Sequence, residues 1–339
     1  MLRSNLFLIP IIFISIFIIS KNFKFFKDDI QQSKHKKFIF NDKNHLNIGG
    51  IFLSLTFIIF FPNNLNFINF YVLSILVLGL LSDKNIISHP IIRLLLQSVI
   101  LFLFILNNEI NILSIKLDFF DKLLIDNNFN ILFTLFCLLI LMNGTNFIDG
   151  VNVTTSGYYL IITFVMYYFS SKSIINYDNH IFLVLTISLI TFLIFNSLGY
   201  CLLGDSGSYV LALVFGFLLI DINHTNSEIS PYFIVLLLWY PAFENLFTLC
   251  RRRLINKKNP SLPDNFHLHQ LLYKFLERKN IIKKNFYNSL SGILIVIYNS
   301  LIFILAIPFY KETKILILLI IFNVVIYIYL YIFFRKTKL

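Results

Sequence analysis

Between Lys314 and Arg335 the chain reads ILILLIIFNVVIYIYLYIFF, twenty consecutive residues without a charge and with a single side-chain amide, Asn323. A helix rises about 1.5 Å per residue, so about 20 apolar residues match the roughly 30 Å hydrocarbon core of a bilayer. This stretch therefore reads as a membrane-spanning helix.

Similar runs recur along the rest of the chain. They lie at about residues 4 to 21, 46 to 62, 66 to 82, 90 to 107, 129 to 143, 156 to 171, 180 to 196, 207 to 222, 231 to 249 and 288 to 308, with the quoted run as the core of 312 to 334. The pattern predicts an all-α polytopic membrane protein of about eleven transmembrane helices, forming one integral membrane domain over residues 1–339. Composition agrees: 58% of the 339 residues are hydrophobic, 13% are charged and mean hydropathy is +0.79, against roughly 45–50% apolar and about 25% charged in soluble domains. Cys137, Cys201 and Cys250 lie in or beside apolar runs without CxxC spacing, which argues against a disulfide framework or a zinc site. The first run follows a single Arg3, precedes a lysine-rich stretch and has no small-residue cleavage site, so it reads as a retained span rather than a secretory leader.

Cytoplasmic loops retain positive charge. With the N-terminus outside and the C-terminus cytoplasmic, 22 of the 28 Lys and Arg residues fall inside, leaving Arg3, Lys116, Lys122, Lys172, Lys311 and Lys314 outside. The predicted cytoplasmic loops are about 21–45, 83–89, 143–156, 196–207 and 250–287. Function is expected to face the cytoplasm, because the unusual polar residues concentrate in these loops. The longest outside loop, 108 to 128, alternates apolar and polar residues over Ile115-Lys116-Leu117-Asp118-Phe119, which predicts a short strand or interfacial hairpin.

Ionisable groups at membrane depth are expensive and are usually kept for function. Asp83, Asp149 and Asp205 each end a predicted outside-to-inside span, in Ser82-Asp83, in Asn143-Gly144-Thr145-Asn146-Phe147-Ile148-Asp149-Gly150 and in Gly204-Asp205-Ser206-Gly207-Ser208. Three carboxylates at one depth suit a hard divalent cation, which takes oxygen ligands. Glycines beside two of them permit tight turns and close backbone approach to a phosphate. A helix starting near Ser208 would aim its N–H groups at an anion held there. A long basic loop follows, with Arg251-Arg252-Arg253, Lys257-Lys258 and Pro263-Asp264-Asn265-Phe266-His267-Leu268-His269. Arginine and lysine suit phosphate oxygens, and histidine donates hydrogen bonds or transfers protons near neutral pH. Two local matches fail on context: Gly204-Asp205-Ser206-Gly207 resembles a serine-protease nucleophile segment that belongs to a soluble β-barrel fold, and His267-Leu268-His269 lacks the further ligands of a zinc site.

Taken in order, these segments resemble the polyprenyl-phosphate N-acetylhexosamine-1-phosphate transferases, glycosyltransferase family 4. That family includes the undecaprenyl-phosphate GlcNAc-1-phosphate transferases and, more distantly, the phospho-MurNAc-pentapeptide transferase. The resemblance runs from about Asn44 to His269 through Gly49-Gly50, Ser82-Asp83, the Asn143 to Gly157 stretch, Asn196 with Gly204 to Ser208, Pro241 to Glu244, and Pro263 to His269.

The resemblance implies transfer of an N-acetylhexosamine 1-phosphate from a UDP-sugar to undecaprenyl phosphate, releasing UMP and starting a cell-envelope polysaccharide, such as lipopolysaccharide O-antigen, or another glycan. It implies Mg²⁺, with Mn²⁺ as a substitute. Asp83, Asp149 and Asp205 become the catalytic residues, with Asp205 a direct Mg²⁺ ligand and Asp83 or Asp149 a further one. Asn143, Asn146, Asn152, Asn196, Arg253, Asp264, His267 and His269 become substrate-binding residues. The implied partners are undecaprenyl phosphate, UDP-N-acetylhexosamine, membrane lipids and a second copy of the chain in a homodimer, with no nucleic acid among them. The implied location is the bacterial inner membrane, with the active site facing the cytoplasm.

The chain departs from the family at Ser82, where a second aspartate is common, at Asn152 and Glu244 where Asp is common, at Asn265 in place of Arg and at Gln270 in place of a third histidine. Ser82 and Asn152 motivate a rival reading as a catalytically altered lipid-binding homologue. A membrane transporter is a second rival, disfavoured because the carboxylates lie at helix ends on one side and no matching halves are visible.

Overall fold

The computed structural model describes residues 5–23, 45–255, 264–280 and 286–336. Lys257, Lys258 and Pro263 of the basic loop, Arg3 and the lysine-rich stretch at 24–44 lie outside the described residues.

The elements run in the order α1 (Leu8–Asn22), β1 (Leu46–Asn47), α2 (Gly49–Phe60), α3 (Ile68–Asp83), α4 (Pro90–Asn108), α5 (Asp118–Leu124), α6 (Asn127–Ile148), α7 (Thr154–Ser171), α8 (Asn179–Ser197), β2 (Cys201–Leu202) and α9 (Gly204–Thr225). They continue with α10 (Pro231–Leu237), α11 (Trp239–Cys250), α12 (Leu268–Lys279), α13 (Tyr287–Ala306) and α14 (Thr313–Lys336). Each predicted span coincides with a helix, or for residues 231 to 249 with the pair α10 and α11. Six of these, α4, α6, α8, α9, α13 extended to Phe309, and α14, are long and apolar enough to cross a membrane, and the bent pair makes seven. Helices α1, α2 and α3 are apolar but shorter, and α7 carries Thr154, Thr155, Ser156, Thr163, Ser170 and Ser171.

Helix α9 forms the centre. In its apolar window 83% of residues are buried, against 22% for α4 and α14, and it packs against α2, α3 and α6. The peripheral helices turn Ile92, Leu95 and Val99 of α4 and Leu318, Phe322 and Val325 of α14 outward. That pattern suits a lipid solvent, where an outward Leu costs nothing. Gly79 of α3 makes the closest approach to the centre: a Cβ there would stand 2.2 Å from Ser206 Cα, so only glycine lets α3 lie against the first turn of α9.

The break between α10 and α11 bends the chain by 71°. Pro241 has no N–H for the carbonyl of Leu237, and the Tyr158 hydroxyl donates to that carbonyl instead, at 2.7 Å. The freed backbone group is thereby satisfied inside the protein, as a membrane interior demands.

Two sequence expectations change. The extended run near residue 115 does not become a hairpin. Lys116 takes a positive φ of 53°, and Asp121 accepts from Ile115 N at 2.8 Å and from Ser114 Oγ at 2.6 Å. A side chain rather than a partner strand thus serves that backbone, and α5 begins at Asp118. Helix α9 starts at Gly204, four residues before Ser208. The two short strands were not foreseen: β1 and β2 pair in parallel, Leu46 with Cys201 and Asn47 with Leu202, tying the segment before α2 to the segment before α9.

Candidate active site

The Asp83 carboxylate, at the end of α3, accepts hydrogen bonds from the backbone N–H of Asp205 at 2.8 Å and of Ser206 at 3.2 Å. Unpaired N–H groups of a helix start attract an anion, and here Asp83 is that anion. Asp205 itself projects from the first turn of α9. Its Oδ2 accepts from Ser82 Oγ at 2.5 Å, from Arg93 Nη1 at 2.9 Å and from the Tyr209 hydroxyl at 3.5 Å. Arg93 Nη1 also donates to Ser82 Oγ at 2.8 Å. The second oxygen, Oδ1, has no hydrogen-bond partner among the described residues. Asp205 and Arg93 side chains are 22% and 27% exposed, so the pair is open on one side.

The end of α6 approaches this cluster. Asn146 Nδ2 donates to the Tyr209 hydroxyl at 3.5 Å, one bond removed from Asp205. One turn earlier, Asn143 donates to Gln97 Oε1 at 3.1 Å and to Leu139 O at 3.0 Å, which ties α6 to α4. Asp149 caps the C-terminal end of α6 and is half-buried. The loop that follows is held by buried amides: Asn152 N donates to Asn288 Oδ1 at 2.6 Å, Val153 N donates to Asn196 Oδ1 at 2.7 Å, and Asn196 Nδ2 donates to Cys201 O at 2.9 Å. Asn152 and Asn196 are themselves buried; the contacts of Asn196 shape loops. Val153 adopts φ +73°, a strained conformation for a β-branched residue that these bonds sustain.

The basic loop forms a second cluster. Asp264 accepts two bonds from Arg251, at 2.8 and 3.1 Å, and one from Arg252 Nε at 3.1 Å. Burial opposes its charge, but the two guanidinium groups hold its carboxyl well below the usual range. His267 Nδ1 lies 2.9 Å from Glu244 Oε1, and its ring stacks on that of His269 at 5.6 Å and 8°. Both His269 nitrogens are buried without a partner among the described residues. Burial, reinforced by the neighbouring His267, pushes its pKa down to about 3. Arg253 points outward and is exposed.

The two clusters meet on one segment, residues 146–150. Asn146 touches Tyr209, the Phe147 ring lies 5.3 Å from the His267 ring and 5.5 Å from the Arg252 guanidinium carbon, and a Cβ on Gly150 would stand 2.1 Å from His269 Nε2. Asp83 and Asp205 are thus brought together, and His267, His269 and Asp264 form a second group beside the Asp149 turn. Among the described residues no three His, Cys, Asp or Glu side chains gather as a metal cluster, so the expected convergence of three carboxylates on one cation is not formed. The physical reason lies with Asp83, whose two oxygens are turned to the α9 backbone. Sequence reasoning missed Arg93, Tyr209 and the pairing of Arg251 and Arg252 with Asp264. Arg93 carried one signal: it is a lone cation near the start of an otherwise apolar span.

The sequence model of glycosyl transferase family 4 matches residues 68–223. Over 218 residues the chain is 27% identical to a probable undecaprenyl-phosphate N-acetylglucosaminyl 1-phosphate transferase of Bacillus subtilis (strain 168). That alignment covers 59% of this chain and 56% of the relative, so the match spans little more than half the relative's length.

Proposed function

We propose, from the match of residues 68–223 to the sequence model of glycosyl transferase family 4, that the chain transfers a sugar 1-phosphate, an N-acetylhexosamine 1-phosphate, from a UDP-sugar to undecaprenyl phosphate. The observation that carries this reading is the meeting of the Asp205 cluster and the histidine cluster on residues 146–150. One group offers a carboxylate oxygen and a guanidinium, and the other offers an imidazole donor. A diphosphate bridging them would find a cation site at one end and N–H donors at both.

The donor set suits Mg²⁺. That ion prefers oxygen ligands, keeps several waters and is commonly held by one or two carboxylates together with substrate phosphates. Asp205 Oδ1 is such an oxygen, and Asp205 would hold the ion. When bound, it would neutralise diphosphate charge and favour in-line displacement. Asp83 fixes the position of Asp205 through the α9 backbone. Arg93 and His267 stabilise phosphate oxygens by charge-assisted hydrogen bonds. In the reaction a lipid-phosphate oxygen bonds to the β-phosphorus, the bond from that phosphorus to the oxygen bridging to UMP breaks, and UMP leaves with the electron pair. The attacking phosphate is already ionised near neutral pH, so no general base is required.

The charge bias of 22 to 6 supports a cytoplasm-facing site in the inner membrane. There the polyprenyl tail stays in lipid while the nucleotide sugar arrives from the cytosol. The product would initiate a cell-envelope polysaccharide or another glycan.

The test is to incubate purified protein with undecaprenyl phosphate, Mg²⁺ and a panel of labelled UDP-sugars, and to follow UMP and labelled lipid. Release of both is expected with an amino sugar. Retention of lipid binding without product for any sugar overturns the transferase reading in favour of a catalytically altered homologue, the alternative that Ser82 motivates.

A further inference from the structure

The end of α9 remote from Asp205 borders a cavity of about 390 Å³, formed where the loop 109–117 meets α6, the last turns of α9 and the start of α10. That volume falls within the roughly 300–1,000 Å³ of ligand sites. Leu219 is in its wall, and at about 1.5 Å per residue it lies roughly 21 Å along α9 from Asp205. The cavity is therefore separate from the candidate active site. Its interior is apolar, with Phe133 of α6, Ile220 of α9 and Ile234 of α10. Its exposed members divide by chemistry: Lys116, His224 and Ser227 are polar, whereas Leu113 and Val235 are apolar. His224 stands in the last turn of α9, and Val235 stands one turn inside α10. The mouth thus spans the level of the helix ends and an apolar level one turn deeper. The acidic groups of the neighbouring segments are already engaged. Asp121 serves Ser114 and the backbone of Ile115, Asp221 accepts from the Tyr177 hydroxyl at 2.8 Å, and Glu228 pairs with Lys311. Asp118 stands in the first turn of α5, where helix N–H groups attract it. Neither the Lys116 ammonium nor the His224 ring has a partner among the described residues. Asn111 Oδ1, buried in the same wall, also has none.

We propose that this cavity binds a membrane phospholipid of net negative charge, with its phosphate at Lys116 and His224 and one acyl chain against Phe133, Ile220, Ile234 and Val235. The apolar wall alone would not select a ligand, because bulk lipid is as apolar as the cavity. Selection comes from the mouth, where an unengaged cation meets the headgroup phosphate through a charge-assisted hydrogen bond. A headgroup with hydroxyls also supplies the donor that Asn111 Oδ1 lacks, and a buried acceptor left unserved is costly. The bound lipid joins the loop 109–117, α6, α9 and α10, and so braces the central helix at the end opposite Asp205. The inference rests on the membrane-spanning fold and not on the transferase reading.

The experiment uses the full chain in nanodiscs containing phosphatidylglycerol with a photoactivatable group on one acyl chain, and mass spectrometry locates the adducts. Phe133, Ile220 and Val235 should be labelled several-fold above Leu95 of α4 and Leu318 of α14, which face outward and report bulk lipid. Lys116→Glu, at an exposed position, should cut labelling in the cavity about fivefold or more and leave Leu95 and Leu318 unchanged. Ile234→Trp, which fills the cavity from its apolar side, should cut it as well. Unlabelled phosphatidylglycerol should compete better than phosphatidylcholine, whose headgroup has no net charge, and inorganic phosphate should not compete. Labelling in the cavity no higher than at Leu95 overturns the proposal, as does labelling that Lys116→Glu leaves unmoved. Displacement by inorganic phosphate alone, or crosslinks to a second copy of the chain in place of lipid adducts, would also overturn it. The wild-type comparison decides even if Ile234→Trp fails to assemble. Because an adduct is read rather than turnover, a protein that transfers no sugar phosphate would lose the transferase reading and keep this site.

Discussion

The Asp83 carboxylate accepts a hydrogen bond from the backbone N–H of Asp205 at 2.8 Å across the α3–α9 contact, so one aspartate sets the position of the other. Replacing a helix-capping carboxylate costs about 1 kcal/mol. Asp83→Ala should therefore lower the melting temperature in detergent measurably, and should lower turnover far more than that loss of stability explains, because Asp205 loses its register. Asp83→Asn keeps one acceptor oxygen and should recover most of the stability. Equal effects of the two substitutions on stability would show that Asp83 does not act as the cap.

Much of the fold was legible in the sequence, because lipid imposes a simple rule: about twenty apolar residues make a helix that can cross. Every predicted span carries helix for that reason. The relations that build the site were not legible. The cap on α9 comes from Asp83, remote in sequence, and nothing near Gly204 announces it. Because the capping acceptor is remote, the helix starts before the Ser208 expected from local signals. Arg93 of α4 reaches Asp205 of α9, and Glu244 meets His267 and Tyr327 from three separate elements. Such contacts have no periodicity to read. The aspartates and histidines were identifiable as polar residues at one membrane depth, while their partners were buried in runs that look uniformly apolar.

Asp205 Oδ2 accepts from Arg93 and Ser82, and in the proposed reading its Oδ1 would hold Mg²⁺. Asp205→Asn should abolish turnover, and it should remove Mg²⁺ binding as read by titration calorimetry with UDP present, while the protein still inserts and extracts normally. Full activity in that variant would refute the metal assignment. Arg93→Ala should raise KM for a phosphate substrate about tenfold or more, because a charge-assisted hydrogen bond contributes about 1.5–3 kcal/mol. Comparing lipid phosphate with UDP-sugar tells which one Arg93 contacts.

Acid should unfold the histidine cluster in two stages, with signs that follow from the two shifted groups. His269 is held neutral, with a folded pKa of about 3 against about 6.5 when unfolded. Its contribution is complete above about 6.5 and is lost progressively down to about 3. Asp264 is held ionised well below the usual carboxylate range. Its contribution is complete above about 3.9 and fades as pH falls below that. Melting temperature followed against pH should decline gently from neutral and then steeply below about 4. His269→Gln should flatten the upper stage alone. An unchanged upper slope in that variant would show that His269 is not the group responsible.

The number of crossings is open to a direct test. Among the described residues six helices qualify by length and composition, seven with the bent pair, whereas the sequence pattern and charge bias predict about eleven. With eleven spans and an outside N-terminus, cysteines placed at Lys116, Lys172 and Lys311 should react with an impermeant thiol reagent from outside. Those at Lys84, Arg253 and Lys336 should react only after permeabilisation. Labelling of Lys84 from outside would show that α3 does not cross and would reduce the count.

Gly79 and Gly150 separate stability from activity within the same site. A Cβ at Gly79 would meet Ser206 Cα at 2.2 Å and Ser206 N at 2.6 Å, and backbone cannot step aside. Gly79→Ala should thus push α3 from α9 and destabilise by about 1–3 kcal/mol, the usual cost of overpacking, while displacing Asp83 from its cap. A Cβ at Gly150 would instead meet the buried His269 ring, with Nε2 at 2.1 Å, a side chain rather than backbone. Gly150→Ala should destabilise less than Gly79→Ala and reduce turnover about tenfold or more, because it moves the histidine pair by about an ångström from its productive position. Thermal scans and UMP release measured on both variants check the contrast. If Gly150→Ala proves as destabilising as Gly79→Ala and no less active, the histidine cluster serves the fold rather than the substrate.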